Sequence, residues 1–196
     1  MPIVILNTGC ANLASITIAI KKLGYTTIVT CDPAVVHNAK KIVIPGVGSA
    51  VTAMRELSRN MIVNVICNVK TPVLGICLGM QLLCNFSEEG GGIKTLGILK
   101  TPVYRLRNKN ITLPHIGWNK IIFNRGSILF NNIKTGSRFY FVHSYFVPIN
   151  KYTLACSDYG ISFSSVIQKN NFFGVQFHPE KSGDIGAQLL KNFLEI

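Results

Sequence analysis

Cys77 sits in the stretch Pro72-Val73-Leu74-Gly75-Ile76-Cys77-Leu78-Gly79-Met80-Gln81. An apolar run ends at a cysteine with a glycine two residues to either side, and apolar residues then recur at Leu78, Met80, Leu82, Leu83 and Phe86. That order predicts a strand, a sharp turn and a helix, with the thiol at the turn. It is the cysteine form of a nucleophile elbow, G-x-C-x-G. The glycines let the backbone turn tightly against its neighbours. A helix N-terminus behind the sulfur points unpaired N–H groups and a partial positive charge at it, which supports a nucleophile. A buried core cysteine is the competing reading of the same stretch, so the chemistry depends on partners.

A nucleophilic thiol needs a base, and the base needs a third group to orient it. The chain offers His37, His115, His143 and His178, and eight acids: Asp32, Glu56, Glu88, Glu89, Asp158, Glu180, Asp184 and Glu195. One histidine and one acid stand two residues apart, in His178-Pro179-Glu180. Residues i and i+2 of an extended segment face the same way, and a following proline holds His178 in extended backbone. The run Phe173 to Phe177 reads as a strand, so imidazole and carboxylate would meet at a strand's end, where sites of sheet folds assemble. Cys77 would then attack a carbonyl carbon, His178 would relay the proton, and Glu180 would orient the imidazole. Carbonyl attack also needs donors for the oxyanion. The N–H of Leu78 follows the nucleophile directly, and Pro45-Gly46-Val47-Gly48 ends another apolar run and offers a second N–H. The residues alone leave open an acyl-transfer enzyme, a cysteine hydrolase or peptidase of similar elbow architecture, and a non-catalytic scaffold or regulatory module.

The elements around these residues alternate. Ile3 to Leu6 reads as a buried strand, and a helix with Leu13, Ile16, Ile20 and Leu23 on one face ends at Gly24. Thr26 to Thr30 is strand-like, and Asp32-Pro33 marks a turn. Lys41 to Ile44 is a third strand. Ser49 is placed to cap a helix that buries Val51, Met54 and Leu57. Asn60 to Val69 reads as another helix, with Ile62, Val65, Ile66 and Val69 inward. The elbow strand and helix follow. Strands alternating with helices predict a parallel sheet covered on both faces. The pattern changes after Ser87: Glu88-Glu89-Gly90-Gly91-Gly92 reads as a flexible loop. From Ile93 to Gln176 the segments are short and β-branched or aromatic, as in Ile121-Ile122-Phe123, Phe139-Tyr140-Phe141-Val142 and Phe172-Phe173-Gly174-Val175. They predict an antiparallel extension. A helix over Asp184 to Leu194 closes the chain, with Ile185, Leu189, Leu190 and Phe193 inward. No repeat or linker interrupts residues 1–196, so one domain is expected.

Composition narrows the classes further. Of 196 residues, 48% are hydrophobic and 14% charged, which excludes a disordered chain. No apolar run approaches the roughly 18 residues of a membrane span, and Met1-Pro2-Ile3-Val4 lacks the basic start of a signal peptide, so a cytoplasmic protein without membrane contact is expected. The six cysteines form no C-x-x-C pair and no cluster with zinc spacing, so reduced thiols and no metal or cofactor are expected. The formal charge of +12 comes from 20 Lys and Arg against only 8 Asp and Glu. The cations are scattered, with Lys21-Lys22, Lys40-Lys41 and Arg105 and Arg107 the densest groups, and no basic arm or motif argues for nucleic acid.

Gly75-Ile76-Cys77-Leu78-Gly79-Met80-Gln81, taken with Gln176-Phe177-His178-Pro179-Glu180-Lys181-Ser182, resembles the class I glutamine amidotransferases, and Pro45-Gly46-Val47-Gly48 resembles their oxyanion loop. Within that family, Leu113-Pro114-His115-Ile116-Gly117-Trp118-Asn119 and Tyr140-Phe141-Val142-His143-Ser144-Tyr145 resemble the glutaminase subunits of imidazole glycerol phosphate synthases. The resemblance spans nearly the whole chain. It implies a flavodoxin-like α/β fold: a mixed, mostly parallel sheet flanked by helices, with an antiparallel extension. It implies Cys77, His178 and Glu180 as the triad, and glutamine hydrolysed to glutamate and ammonia through a glutamyl thioester. Gly46, Val47 and Leu78 match the oxyanion positions, and Gln81, His143, Ser144 and Tyr145 the substrate-binding ones. The implied partner is a (β/α)8-barrel cyclase subunit in a heterodimer. It receives the ammonia and makes imidazole glycerol phosphate and an aminoimidazole carboxamide ribotide in histidine biosynthesis. Asn12, Trp118 and Lys181 match that interface. Without the resemblance, Trp118 reads equally well as a core residue and Lys181 as solvated surface. The opening Asn7-Thr8-Gly9-Cys10 departs from the Asp-Tyr-Gly form common in the family.

Overall fold

The computed structural model describes residues 2–9, 13–109, 111–123 and 126–196. The expected interface residue Asn12 lies outside the described residues. In the first half, β1 (Ile3–Leu6), β2 (Thr27–Thr30), β3 (Ile42–Ile44) and β4 (Val73–Ile76) alternate with α1 (Leu13–Lys22), α2 (Pro33–His37), α3 (Ala50–Arg59) and α4 (Ile62–Asn68). The turn into α5 (Leu78–Leu82) holds Cys77. Short strands follow: β5 (Phe86–Ser87), β6 (Ile93–Lys94), β7 (Pro102–Arg105), β8 (His115–Lys120), β9 (Arg138–His143) and β10 (Tyr145–Phe146). Longer ones come next, β11 (Thr153–Asp158), β12 (Ser162–Lys169) and β13 (Phe172–Val175), and then α6 (Gly183–Leu194).

The main sheet runs β11-β12-β13-β4-β3-β1-β2. Strands β2, β1, β3, β4 and β13 are parallel, while β12 and β11 extend the sheet in antiparallel pairs. The expected mixed sheet is therefore present, and β13 is its hinge, parallel to β4 on one side and antiparallel to β12 on the other. Of the parallel strands, β1, β3, β4 and β13 are buried on both faces, while β2, at the sheet edge, is partly exposed. Ile3 and Ile5 face α1 and α6, whose Ile16, Ile20, Leu189 and Phe193 share their core, while Val4 and Leu6 face the core built from α2, α3, α4 and α5. Two faces to cover explain why these strands are continuous apolar runs instead of alternating ones. A four-stranded sheet (β10-β7-β5-β6) and the β8–β9 ribbon pack beside the main sheet.

Several local expectations change. Asp32-Pro33 opens α2 instead of a turn. The Asp32 carboxylate accepts from the N–H groups of Ala34 and Val35, and proline stands at the first helical positions, where its missing N–H costs nothing. Ser49 caps α3 by accepting from Thr52, as expected, but Val51 is exposed, and Ala50 and Ala53 take the inward positions beside Met54 and Leu57. Val65 is only partly buried. Phe86 lies beyond the short α5, in β5. Ile121-Ile122-Phe123 is not a strand: Ile122 makes one bridge to Cys156. The Glu88–Gly92 loop is anchored by its carboxylates. Glu89 accepts from the N–H of Ala50 at 2.6 Å, and Glu88 from the N–H of Arg105 at 2.8 Å.

Candidate active site

Three adjacent parallel strands, β3, β4 and β13, deliver the segments singled out in the sequence to one end of the sheet. Carboxyl ends of neighbouring strands are where open α/β sheets form their clefts. Cys77 follows β4 with φ +50° and ψ −105°, a conformation that costs a non-glycine residue energy and persists because its surroundings over-determine it. Its N–H donates to the carbonyl of Val175 at 2.7 Å, which ties the elbow to β13. Glycines make the turn possible. A Cβ on Gly75 would sit 2.5 Å from the carbonyl oxygen of Gly79, one on Gly79 would overlap the carbonyl of Ile44, and one on Gly46 would overlap the carbonyl of Ile76 and lie 2.6 Å from the N–H nitrogen of Leu78. The Gly46 backbone therefore lies against the N–H that follows the cysteine.

His178 comes directly after β13 and the buried pair Gln176 and Phe177. Its Nδ1 is 2.7 Å from Oε1 of Glu180, with only 1% and 9% of the two side chains exposed. Pro179–Lys181 forms one 3-10 turn, which swings the Glu180 carboxylate back to the ring. Two hydrogen bonds to the His178 main chain fix this turn: its N–H donates to the Tyr140 carbonyl at 2.8 Å, and the Ser182 hydroxyl donates to its carbonyl at 2.6 Å. Burial disfavours a charge on His178, but Cys77 and Glu180 outweigh it and raise its pKa to about 10. Among the described residues, Nε2 of His178 and Oε2 of Glu180 have no hydrogen-bond partner in normal geometry, and Cys77 is the group beside the ring that raises its pKa with Glu180. An imidazole held at Nδ1 by a carboxylate, with Nε2 free beside a thiol, is arranged to move a proton at that thiol.

A cleft of about 310 Å³ opens over the sulfur. Gly46, Val47, Cys77, Leu78, Gln81, His143, Ser144, Tyr145 and His178 all border it. The expected triad, oxyanion and substrate-binding residues thus converge on one cavity, with Glu180 behind the histidine. The ring nitrogens of His143 are both engaged within the protein, Nδ1 with the Tyr145 carbonyl at 2.8 Å and Nε2 with Nδ1 of His115 at 3.0 Å. Trp118 and Lys181 lie outside the cavity. Trp118 is 52% exposed, not a core residue, and meets Tyr140 at 6.2 Å between ring centroids. Nζ of Lys181 stands 6.0 Å over the same Tyr140 ring.

Gln176 is a site residue that the motif reading passed over. Its Nε2 donates to Sγ of Cys77 at 3.5 Å, and its Oε1 accepts from Nε2 of Gln81 at 3.1 Å. A signal lies in the sequence: Gln176 stands two residues before His178, the spacing that puts side chains of an extended segment on one face, although β13 itself ends at Val175. The Cys77 thiol itself points to the carbonyl of Val142 at 3.7 Å. Among the described residues no group of His, Cys, Asp and Glu is arranged to hold a metal, and no helix is long and apolar enough to cross a membrane.

The sequence signature of the family described as glutamine amidotransferase class-I matches residues 4–196. Curated relatives include the imidazole glycerol phosphate synthase subunit HisH of Buchnera aphidicola subsp. Acyrthosiphon pisum, 62% identical over 196 residues and all of both chains. Another is the same-named subunit of Yersinia pseudotuberculosis, 53% identical over all of both chains. Among solved structures, a glutamine amidotransferase from Thermotoga maritima has a TM-score of 0.67 at 17% identity, covering all of this chain and 81% of its own. The glutaminase domain of Trypanosoma brucei CTPS has a TM-score of 0.68 at 14% identity, covering all of this chain and 94% of its own.

Proposed function

The chain belongs to the class I glutamine amidotransferase family, and from that premise we propose that it is the glutaminase subunit of an imidazole glycerol phosphate synthase, a cytoplasmic enzyme of histidine biosynthesis, with residues 1–196 as one domain. Sγ of Cys77 attacks the side-chain carbonyl carbon of glutamine. The proton that the thiol gives up is held on Nε2 of His178 and passes on to the departing nitrogen, so ammonia leaves and a glutamyl thioester remains. Water, deprotonated by the same Nε2, then attacks the thioester and releases glutamate and the thiol. Glu180 holds the Nδ1–H and favours the charged ring in both steps. The N–H of Leu78 and the peptide joining Gly46 and Val47 receive the oxyanion. Both amide hydrogens of Gln81 are used, on the Tyr145 carbonyl and on Gln176. That leaves its Oε1 as an acceptor for substrate N–H, with Ser144 and Tyr145 beside it.

The observation that carries this reading is the buried His178–Glu180 pair, 2.7 Å apart, beside a thiol on a strained turn in a cleft bordered by Gln81. Ammonia passes to a (β/α)8-barrel cyclase subunit, whose products are imidazole glycerol phosphate and an aminoimidazole carboxamide ribotide. The exposed Trp118 and Lys181, which flank Tyr140 on the outer side of the β8–β9 ribbon, form part of the surface that meets it, with Asn12. The test is to reconstitute the chain with the cyclase and measure glutamate release and cyclised product from glutamine. Glutamate without any coupled product contradicts the assigned subunit role, and no glutamate at all contradicts the glutaminase.

A further inference from the structure

Two buried histidines are not used in the chemistry just described. His115, 3% exposed, and His143, 6% exposed, face each other across the β8–β9 ribbon as a directly paired couple in the strand register. Phe141 and Tyr159 stack on His115, with the Tyr159 ring at 4.0 Å, and Phe163 meets both rings edge-on. Hydrogen bonds continue from the pair in both directions. On the outer side Nδ2 of Asn119 reaches Nε2 of His115 at 3.4 Å, and on the inner side Nδ1 of His143 reaches the Tyr145 carbonyl.

Acceptors that can only accept set the direction of this chain. The Tyr145 carbonyl accepts, so Nδ1 of His143 carries a hydrogen, and in the neutral ring Nε2 is then a lone pair. Nδ1 of His115 must therefore donate to it, which leaves Nε2 of His115 as an acceptor. The Asn119 amide is oriented independently. Its Oδ1 accepts from the N–H of Lys120 at 2.8 Å, and its Nδ2 donates to the carbonyl of Asp158 at 2.8 Å, so hydrogens and not an oxygen face His115. Every link thus points inward, from Asn119 to His115 to His143 to Tyr145. A proton added to the pair would set donor against donor at one of these links. Burial agrees, holding His115 and His143 well below the ordinary histidine value.

The Tyr145 carbonyl accepts a second hydrogen, from Nε2 of Gln81 at 3.0 Å. Gln81 gives its other hydrogen to Gln176, and Gln176 gives one to the sulfur of Cys77. The two chains meet at one carbonyl whose lone pairs are both filled. We propose that Asn119 and His115 are positioning residues for the nucleophile: a one-way, uncharged hydrogen-bond relay through His143 holds the Tyr145 carbonyl, and through it Gln81, Gln176 and Cys77, in the attacking geometry. The relay rests on the glutaminase reading only for what the sulfur attacks, and the geometry of the thiol can be tested without glutamine.

Two measurements decide it. The first is imidazole nitrogen NMR on the full-length chain at neutral pH, which reads the tautomers directly. The expected result is the Nδ1–H form for both His115 and His143, and an Nε2–H or doubly protonated ring at either one overturns the relay. The second compares His115→Phe with His115→Asn, in alkylation of Cys77 by iodoacetamide and in glutamine hydrolysis with the cyclase present. Phenylalanine keeps the stacked ring but no donor, while asparagine places an amide N–H where Nδ1 stood. The expected result is a loss of about tenfold in alkylation rate and in kcat for the phenylalanine variant with KM little changed, and recovery to within about threefold for the asparagine variant. Equal rates in both variants and in the unaltered chain, or equal losses in both, overturn the proposal. If the phenylalanine variant fails to fold, the tautomers alone decide, by the same two outcomes. A chain that never hydrolyses glutamine sinks the glutaminase reading, and the alkylation and tautomer results still judge the relay.

Discussion

The carbonyl of Tyr140 accepts the main-chain N–H of His178 at 2.8 Å, and the N–H of Tyr140 donates to the Ser182 hydroxyl at 3.0 Å. Strand β9 therefore grips the turn that carries the histidine and the glutamate, while the Tyr140 ring lies on the outside between Trp118 and Lys181. A partner pressing on that exposed face acts on the base through one residue. Glutamine hydrolysis by the chain alone is expected to be slow and to rise with the cyclase and its nucleotide, and Lys181→Ala is expected to blunt the rise without removing the basal rate. Steady-state glutamate release under the four conditions checks this. A lone chain as fast as the complex contradicts the coupling.

Cys77→Ala separates the two halves of the proposed reaction. It removes the nucleophile and leaves the outer surface as it is, so glutamine-dependent synthesis is expected to vanish while synthesis from added ammonium with the cyclase persists. Glutamate release in the variant above background contradicts the nucleophile assignment.

Glu180→Gln and His178→Asn divide orientation from proton transfer. The amide in the first variant still sits against Nδ1 but no longer favours a charged ring. The second variant has no base at all. Losses in kcat of about 10²-fold for Glu180→Gln and about 10⁴-fold for His178→Asn are expected. Equal losses would mean that the carboxylate does more than orient.

Residues close together in sequence were legible, and those joined only by the fold were not. Gly75, Cys77 and Gly79 announced the elbow, and His178 and Glu180 announced their pairing, because each group lies on one turn or one strand end. The alternation up to Phe86 announced the parallel sheet, because two-sided burial demands apolar runs. Asp32-Pro33 misled because a capping aspartate before proline opens a helix as readily as a turn, and the helix is only five residues long. Val51 misled because the apolar stripe of α3 is filled by the small residues Ala50 and Ala53, which periodicity counts weakly. The contact of Gln176 with Cys77 joins the segment after β13 to the elbow, so only its two-residue spacing from His178 hinted at it, and His115 meets His143 across a separation of 28 residues in sequence, which no local pattern could show.

Gly46 is a position where the structure leaves no room for a side chain. A Cβ would overlap the carbonyl of Ile76, both partners being main chain that cannot step aside. Gly46→Ala is expected to cost about 3 kcal/mol or more and to displace the N–H of Leu78. Gly24 makes a control: its φ of +88° strains an alanine, but nothing lies within 4 Å of the added carbon. Gly24→Ala is expected to cost about 1 kcal/mol and to leave glutamine hydrolysis intact. Denaturant unfolding of the two variants checks the difference. Comparable losses would show that Gly46 tolerates a side chain by moving its loop.

Stability should fall on both sides of neutrality, for opposite reasons. Above about pH 6.5, His115 and His143 are uncharged whether the chain is folded or not, so their burial carries no protonation penalty. Below it the unfolded chain takes up protons that the folded pair refuses until about pH 4 for His115 and about pH 3 for His143. Stability is therefore expected to drop by roughly 1.4 kcal/mol per pH unit for each histidine as the pH falls from 6.5 to 5, before carboxylates begin to titrate. His178 runs the other way. Its raised pKa of about 10 gives a contribution that is complete below 6.5 and is lost as the pH rises toward 10. Melting temperature against pH tests both limbs, and His115→Asn should remove about half of the acid slope while leaving the alkaline limb alone. A melting temperature that is flat between pH 6.5 and 5 would mean that the histidine pair accepts a proton in place, which the inward direction of every hydrogen bond from Asn119 to Tyr145 forbids.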